Sequence, residues 1–287
     1  MQNKKLPLSV TICSLNEEKN ISHCIESIIE QNPYEIILID GSSNDRTVEI
    51  AQKYNIKIII VERKGLAYQR KIAIENSTQK YIAIIDADHR PEKGSFEEMI
   101  LQLEATGFDG IEAFIYSVKN EGYWDSSMEQ NFILSHNITR ETDMIGTPCI
   151  YKAEVLKLNN FDPFFTAASD DTDLCYRLTQ KGFRIGICSA VVRQEHRSSF
   201  KGFIKKLIWY GKGDAQFVYK HPERIFHMLK HHYYNYPVKK SFYAIKSLQF
   251  QVIPFFILYG LVRNLSFLKE IIKIIFVSEV DKNIYKT

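Results

Sequence analysis

The stretch Tyr81-Ile82-Ala83-Ile84-Ile85-Asp86-Ala87-Asp88 constrains this chain more than any other. An apolar run that stops abruptly on two carboxylates is the pattern of a strand buried on both faces whose carboxyl end opens into a site. On extended backbone, residues two apart point the same way, so Asp86 and Asp88 are expected to present concentrated negative charge to one side. Two such acids repel unless a cation stands with them, and hard oxygen ligands suit Mg²⁺ or Mn²⁺. The plainer alternative is a solvated strand end running into the turn His89-Arg90-Pro91.

Upstream, apolar runs at Leu8–Cys13, Tyr34–Asp40 and Ile56–Val61 alternate with helical patterns at Asn20–Ile29, Val48–Ala51 and Leu66–Asn76. Asn20 is the expected cap of the first helix. Alternating strands and helices predict an α/β fold with a mostly parallel, Rossmann-like central sheet flanked by helices. Such sheets bind ligands beyond the carboxyl ends of their strands, where Asn16, Glu17, Asp40, Asp86 and Asp88 all fall. The sequence contains neither G-x-G-x-x-G after the first strand nor a P-loop, which argues against a dinucleotide fold and a P-loop ATPase.

Farther along, helices are expected at Phe96–Leu103 and Glu129–Asn137, a strand at Gly110–Val118, and a short strand after Gly146-Thr147-Pro148. Ser169-Asp170-Asp171-Thr172-Asp173 precedes a helical stripe through Leu174, Cys175 and Leu178. Helix capping accounts for one of those three acids and leaves the other two unexplained. The five cysteines have no C-x-x-C spacing and are expected to be reduced and buried, without zinc or disulfides. No long apolar run follows the two lysines at the start, so no secretory signal is expected.

Five segments together resemble a family 2 glycosyltransferase of the GT-A fold: Val10–Glu18, Ile39–Thr47, Gly65–Lys71, Asp86-Ala87-Asp88 and Asp170–Leu174. They stand in family order and span roughly residues 8 to 196. The resemblance implies inverting transfer of a sugar from a nucleotide-diphosphate-sugar donor, with Mg²⁺ or Mn²⁺. It places Asp40 at the nucleotide base, Arg70 in the nucleotide site, Asp86 and Asp88 as the D-x-D pair, and Asp171 as the general base. Asp170 falls on the acceptor side, Asp173 either holds the motif in place or contacts acceptor, and His196 falls at the metal or diphosphate, with Arg193 and Arg197 near phosphate. The chain departs from the family pattern at Asp170, where Glu is common, and at Cys13 and Leu15, where Pro and Tyr are usual.

Two domains are expected: a GT-A domain over residues 1–198, with a nucleotide-binding half to about 95, and a helical C-terminal extension over 199–287. In the extension, Lys201–Lys240 carries nine basic residues against Asp214 and Glu223, which calls for an anionic neighbour. Phe200, Phe203, Ile204, Leu207 and Ile208 recur at helical spacing beside lysines, the pattern of a basic amphipathic helix at a membrane surface. Pro254 interrupts the apolar run from Val252 and Arg263 stops it, and Lys269, Glu270 and Lys273 interrupt Leu265–Val277, so a pair of interfacial or re-entrant helices is expected rather than a spanning hairpin; a homo-oligomer face is the alternative. Tyr233, Tyr234, Tyr236, Lys239 and Lys240 are expected at the headgroup boundary.

The expected partners are therefore a nucleotide sugar, a lipid-linked or glycan acceptor, and the cytoplasmic face of an anionic membrane, with no nucleic acid. A synthase that charges a polyprenyl phosphate and a non-catalytic nucleotide-sugar-binding subunit are the alternatives.

Overall fold

The alternation in the first third of the chain becomes β1 (Leu6–Ser14), α1 (Ile21–Ile29), β2 (Pro33–Asp40), α2 (Thr47–Ala51), β3 (Lys57–Ile60), α3 (Leu66–Glu75) and β4 (Tyr81–Asp86) in the computed structural model, which describes residues 5–62, 65–196 and 199–280. Next come β5 (His89–Pro91), α4 (Ser95–Thr106), β6 (Gly110–Ser117), α5 (Tyr123–Ser135), β7 (Arg140–Thr142), β8 (Cys149–Lys152), α6 (Ala153–Leu158), α7 (Asp170–Gln180) and β9 (Ile185–Gln194). The strands form one sheet in the order β3-β2-β1-β4-β8-β6-β9-β5, with β7 paired to β9. From β3 to β4 the pairing is parallel, and antiparallel pairing enters at β8.

β4 shows why an unbroken apolar strand suits the centre of such a sheet. Ala83 and Ile85 pack into one layer with Val10, Ile25 and Phe96, while Ile82 and Ile84 pack into the other with Tyr151, Leu174 and Leu178. Each large apolar side chain buried this way contributes about 1.5–3 kcal/mol, so a polar residue in mid-strand would cost either layer its packing. The register then aligns the strand ends: Ser14 lies beside Asp40, and Cys13 beside Asp86.

Local departures from the sequence expectations have local causes. Asn20 stands at the start of α1 but its amide donates to Glu17 Oε2 at 2.8 Å instead of capping the helix. α5 starts earlier than its apolar pattern because Asp125 accepts the backbone N–H groups of Glu121 and Gly122, both at 2.9 Å. All five cysteines are buried, and burial pushes the Cys175 thiol up to about 12, away from an activated nucleophile.

The chain divides into two units: Met1–Lys119, His136–Pro163 and Asp171–His196 form the first, and Asn120–Ser135, Phe164–Asp170 and Arg197–Thr287 the second. The second unit is helical, with α8 (Phe200–Lys220), α9 (Ile225–Lys230), a π-helical stretch His231–Lys240, α10 (Ser241–Lys246) and α11 (Ile253–Val280). Ser199 caps α8 by accepting the Gly202 N–H at 3.1 Å. Phe203, Leu207, Phe255, Phe256 and Tyr259 form this unit's core.

Two expectations for this region are overturned. The broken apolar run is one helix of 28 residues, not a pair, and Phe250–Phe276 is long and apolar enough to cross a membrane, with 44% of its apolar window buried inside the protein. Pro254 occupies the second position of α11, where a missing N–H breaks no helical bond. Arg263 does not stop the helix because Asp214 pairs with it at 2.5 Å. Tyr236 and Lys240 also turn inward, Tyr236 stacking on Tyr259 at 3.9 Å and Lys240 Nζ lying 4.0 Å over the Tyr236 ring.

Candidate active site

The loops that follow β1 and β2 are tied to each other. Asn16 N donates to Ser43 Oγ at 2.8 Å, Asn44 N to Asn16 Oδ1 at 2.8 Å, and Glu17 N to Thr47 Oγ1 at 2.8 Å. Asn16 (φ 58°) and Ser42 (φ 63°) hold left-handed backbone at these turns. Asp40 is fully buried beneath them, its Oδ2 accepting from Ser14 Oγ at 2.8 Å and Ser43 Oγ at 2.6 Å, and its Oδ1 from Ser43 N at 2.7 Å. With three internal donors, this acid ties the loop after β2 to the end of β1. A Cβ on Gly41 would lie 2.1 Å from Gln69 Nε2, so a larger residue there would have to displace that side chain.

Asp86 and Asp88 sit side by side in different environments. Arg70, on α3 and only 3% exposed, donates through Nη2 to Asp86 Oδ1 at 3.1 Å, and Thr147 donates to Oδ2 at 2.6 Å. Burial raises the Asp86 pKa, but the Arg70 charge, His89 and these hydrogen bonds outweigh it and hold the carboxyl below its ordinary value. Asp88 is different: Gln194 Nε2 reaches its Oδ2 at 3.2 Å, while Oδ1 is buried without a hydrogen-bond partner. Such a carboxylate oxygen is costly unless a water or a cation meets it.

Ligand atoms of Asp86, Asp88 and His89 lie within 4.8 Å of one another. The donor set suits a divalent cation through its carboxylates, Asp88 Oδ1 among them. His89 is less suited, because its Nδ1 accepts the Asp86 N–H at 3.0 Å and that lone pair is used. His196 is not part of this triad, although β5 pairs with β9 and Glu195 N donates to Asp88 O at 2.9 Å, which brings the chain at 194–196 to the Asp86–Asp88 turn. Arg193 pairs with Glu92 at 2.7 Å on an exposed face, and Arg197 lies outside the described residues.

α7 carries the remaining acids. Asp171 accepts the Thr172 N–H at 2.7 Å and is half-buried, and a Cβ on Gly146 would lie 3.5 Å from its Oδ2. Asp170 is buried, and Asp173 is completely so, pairing with Arg177 at 2.8 Å. Arg177 also donates to the carbonyls of Asn159 and Asn160, so Asp173 fixes the helix to the preceding loop.

Sequence reasoning missed Thr147, which closes Asp86, and the pair Glu112–His136. Glu112 is 2% exposed; His136 Nε2 lies 2.9 Å from its Oε1, and Gly146 N donates to its Oε2 at 2.9 Å. An isolated Thr before a proline, or a lone Glu within a strand, carries no periodic signal. The only available hint was that Glu112 interrupts the apolar strand Gly110–Ser117.

Comparison with known proteins agrees with this geometry. Residues 9–165 match Glycosyl transferase family 2. Glycosyltransferase AglE of Haloferax volcanii is 24% identical over 228 residues, covering 73% of both chains. A Methanococcus voltae enzyme, dolichyl N-acetyl-alpha-D-glucosaminyl phosphate 3-beta-D-2,3-diacetamido-2,3-dideoxy-beta-D-glucuronosyltransferase, is 25% identical over 245 residues, 74% of each. Among solved structures, mannosyltransferase PcManGT from Pyrobaculum calidifontis, in complex with GDP-Man and Mn²⁺, superposes with a TM-score of 0.62 at 16% identity over 92% of this chain and 88% of its own. The match to more than half the sequence, on a GT-A fold, makes this chain a member of Glycosyl transferase family 2.

Proposed function

We propose that the protein is an inverting, metal-dependent glycosyltransferase that moves a sugar from a nucleotide-diphosphate-sugar donor to a lipid-linked acceptor at the cytoplasmic face of a membrane. The observation that carries the donor half is the contrast between Asp86, whose two oxygens are both engaged, and Asp88, whose buried Oδ1 has no protein partner. Mg²⁺ or Mn²⁺ held by Asp88, with His196 and Asp86 in support, would supply the positive charge that makes a nucleoside diphosphate a good leaving group.

The chain's own residues divide the remaining tasks. Asp40 braces the pocket loops of Asn16, Glu17 and Ser43 against which the nucleotide base is to lie. Arg70 fixes Asp86 toward the ribose and diphosphate. Asp171 takes the proton from the attacking acceptor hydroxyl, opposite the leaving group, as inversion requires. Asp173 holds the motif through Arg177, and Asp170 sits on the acceptor side.

The acceptor half rests on the second unit and on a relative. The exposed side chains Ile257, Leu261, Leu265, Leu268, Ile272 and Ile275 follow one another along α11 at helical spacing. On α8 the exposed face carries Lys201, Lys205, Trp209 and Lys212. An apolar stripe and a basic, aromatic face suit an anionic lipid surface. The M. voltae relative is named for acting on a dolichyl N-acetyl-glucosaminyl phosphate. A polyprenyl phosphate as direct acceptor is the second reading, since the same surface would serve it and an ionised phosphate needs no base.

A panel of nucleotide-diphosphate sugars, offered with Mn²⁺ and with or without polyprenyl-linked acceptors, tests the proposal by release of nucleoside diphosphate. Release that rises with one donor and one acceptor is expected. No release from any donor would refute it.

A further inference from the structure

Asp214 is the most completely enclosed charge of the helical unit, at 0% exposure. Arg263 Nε and Nη2 fork onto its two oxygens at 2.5 and 2.7 Å, and His232 Nε2 lies 2.9 Å from Oδ2. His232 Nδ1 faces Asn264 Oδ1 at 3.3 Å, and Asn264 donates to the Tyr233 hydroxyl at 2.6 Å. Burial alone would raise the Asp214 pKa, but the Arg263 charge and its hydrogen bonds, with His232, hold it well below the carboxylate range. Buried ion pairs of this kind add little net stability compared with apolar residues, so stability alone is a weak reason for one.

One further bond gives Asp214 a task. Ser169 Oγ donates to Asp214 Oδ1 at 3.2 Å, and Ser169 has left-handed backbone at φ 70°. That conformation is strained for a side chain with a Cβ and needs support from its surroundings. Ser169 immediately precedes α7, two residues before Asp171. The sequence Gly211-Lys212-Gly213-Asp214 makes the approach feasible. A Cβ on Gly213 would lie 2.3 Å from Ala168 O, and one on Gly211 2.3 Å from Arg263 O. Gln216 extends the same contact, its Oε1 accepting the N–H groups of Thr166 and Ala167 at 3.2 and 3.3 Å.

We propose that Asp214 is a positioning residue for the glycosyl transfer: by holding Ser169 in its left-handed conformation while paired to Arg263 of α11, it sets the first turn of α7 and with it the carboxylate of Asp171. This rests on the reading of Asp171 as the base. Neither Asp214 nor Ser169 contacts substrate in this account, so losing either affects turnover and not donor binding.

The test uses the full chain and the variants Ser169→Ala and Asp214→Asn. Ser169→Ala keeps the buried ion pair and so keeps the fold. Hydrogen exchange of the peptide spanning Ala167–Cys175 should quicken roughly tenfold in both variants, as expected for one lost hydrogen bond, while that of Tyr81–Asp88 stays as in wild type. With the donor identified above, kcat should fall roughly tenfold or more with donor KM unchanged, and a nucleoside diphosphate titrated with Mn²⁺ should bind as tightly as before. Unchanged exchange at Ala167–Cys175 in Ser169→Ala, or equal quickening at Tyr81–Asp88, overturns the proposal. So does a fall in kcat matched by a rise in donor KM. If the wild type transfers no sugar, the functional reading fails, and the exchange result alone decides whether Asp214 holds the α7 turn.

Discussion

Thr147 Oγ1 donates to Asp86 Oδ2 at 2.6 Å and so closes the carboxylate oxygen that Arg70 leaves open. The first acid of the pair is thereby fixed in place, and the second keeps a buried oxygen that no protein hydrogen bond reaches. Arg70 is itself held over the Phe161 ring at 5.4 Å. Replacing it, in Arg70→Met, leaves Asp86 without its charge partner and should cost about 1.5–3 kcal/mol, the range for a hydrogen bond to a charged group. Urea unfolding of wild type and variant measures this, and a loss below the error of extrapolation would show that Thr147 and His89 suffice.

Nucleoside diphosphate binding should require Mg²⁺ or Mn²⁺ and should weaken greatly in Asp88→Asn, because an amide offers the cation a neutral oxygen. Asp86→Asn should be the milder variant, since its oxygens already have donors. Calorimetric titration with and without EDTA separates the two, and equal affinity under both conditions would remove the metal from the proposed mechanism.

If Asp171 deprotonates a sugar hydroxyl, Asp171→Asn should lower kcat by roughly 10²- to 10⁴-fold with nucleotide affinity nearly unchanged. A small effect would favour a phosphate acceptor, which arrives already ionised. Wild-type turnover on a sugar acceptor would exclude Asp171 as base.

Acid should destabilise the helical unit through Asp214. Its folded pKa lies below its unfolded one, so the stabilisation is fully present above the ordinary carboxylate value of about 4 and is lost as pH falls toward the folded value. The groups that face it are the Arg263 guanidinium of α11, the His232 ring of the π-helical stretch and the Ser169 hydroxyl. Thermal melts between neutral and acid pH should show a steeper fall in wild type than in Asp214→Asn, which starts lower because Arg263 is left unpaired. Parallel curves would show that another carboxylate governs the acid transition.

Much of the first unit was legible because its signals are local and periodic. β4 is apolar on both faces, the acids follow it directly, and α7 shows its stripe at Leu174, Cys175 and Leu178. What was not legible depends on partners far apart in sequence. Arg263 reads as the end of an apolar segment until Asp214, 49 residues away, neutralises it. Pro254 reads as a break until the helix is seen to begin one residue earlier. Thr147 lies 61 residues from the Asp86 it closes. Asp173, whose role the sequence left open between holding the motif and touching acceptor, is buried against Arg177.

The single helix α11 changes what membrane attachment should look like. Phe255, Phe256, Tyr259 and Phe267 of this helix are buried in the unit's core, so deleting it would destroy the core along with any lipid contact. The informative changes are on its outward stripe, where Leu265 is 66% and Ile272 53% exposed. Leu265→Glu with Ile272→Glu adds two charges to that stripe and leaves the buried face untouched, and Lys201→Glu with Lys205→Glu reverses charge on α8 alone. Each basic side chain near an anionic surface contributes about 1 kcal/mol and is screened by salt, whereas apolar burial is not. Full-length protein should therefore float with anionic vesicles and be released only in part by high salt. The α11 variant should float weakly and release fully, and the α8 variant should bind anionic and neutral vesicles alike. Protein that stays in the soluble fraction on every vesicle would assign the stripe to contact between copies of the chain, which sedimentation would show as a dimer that the two glutamates dissociate.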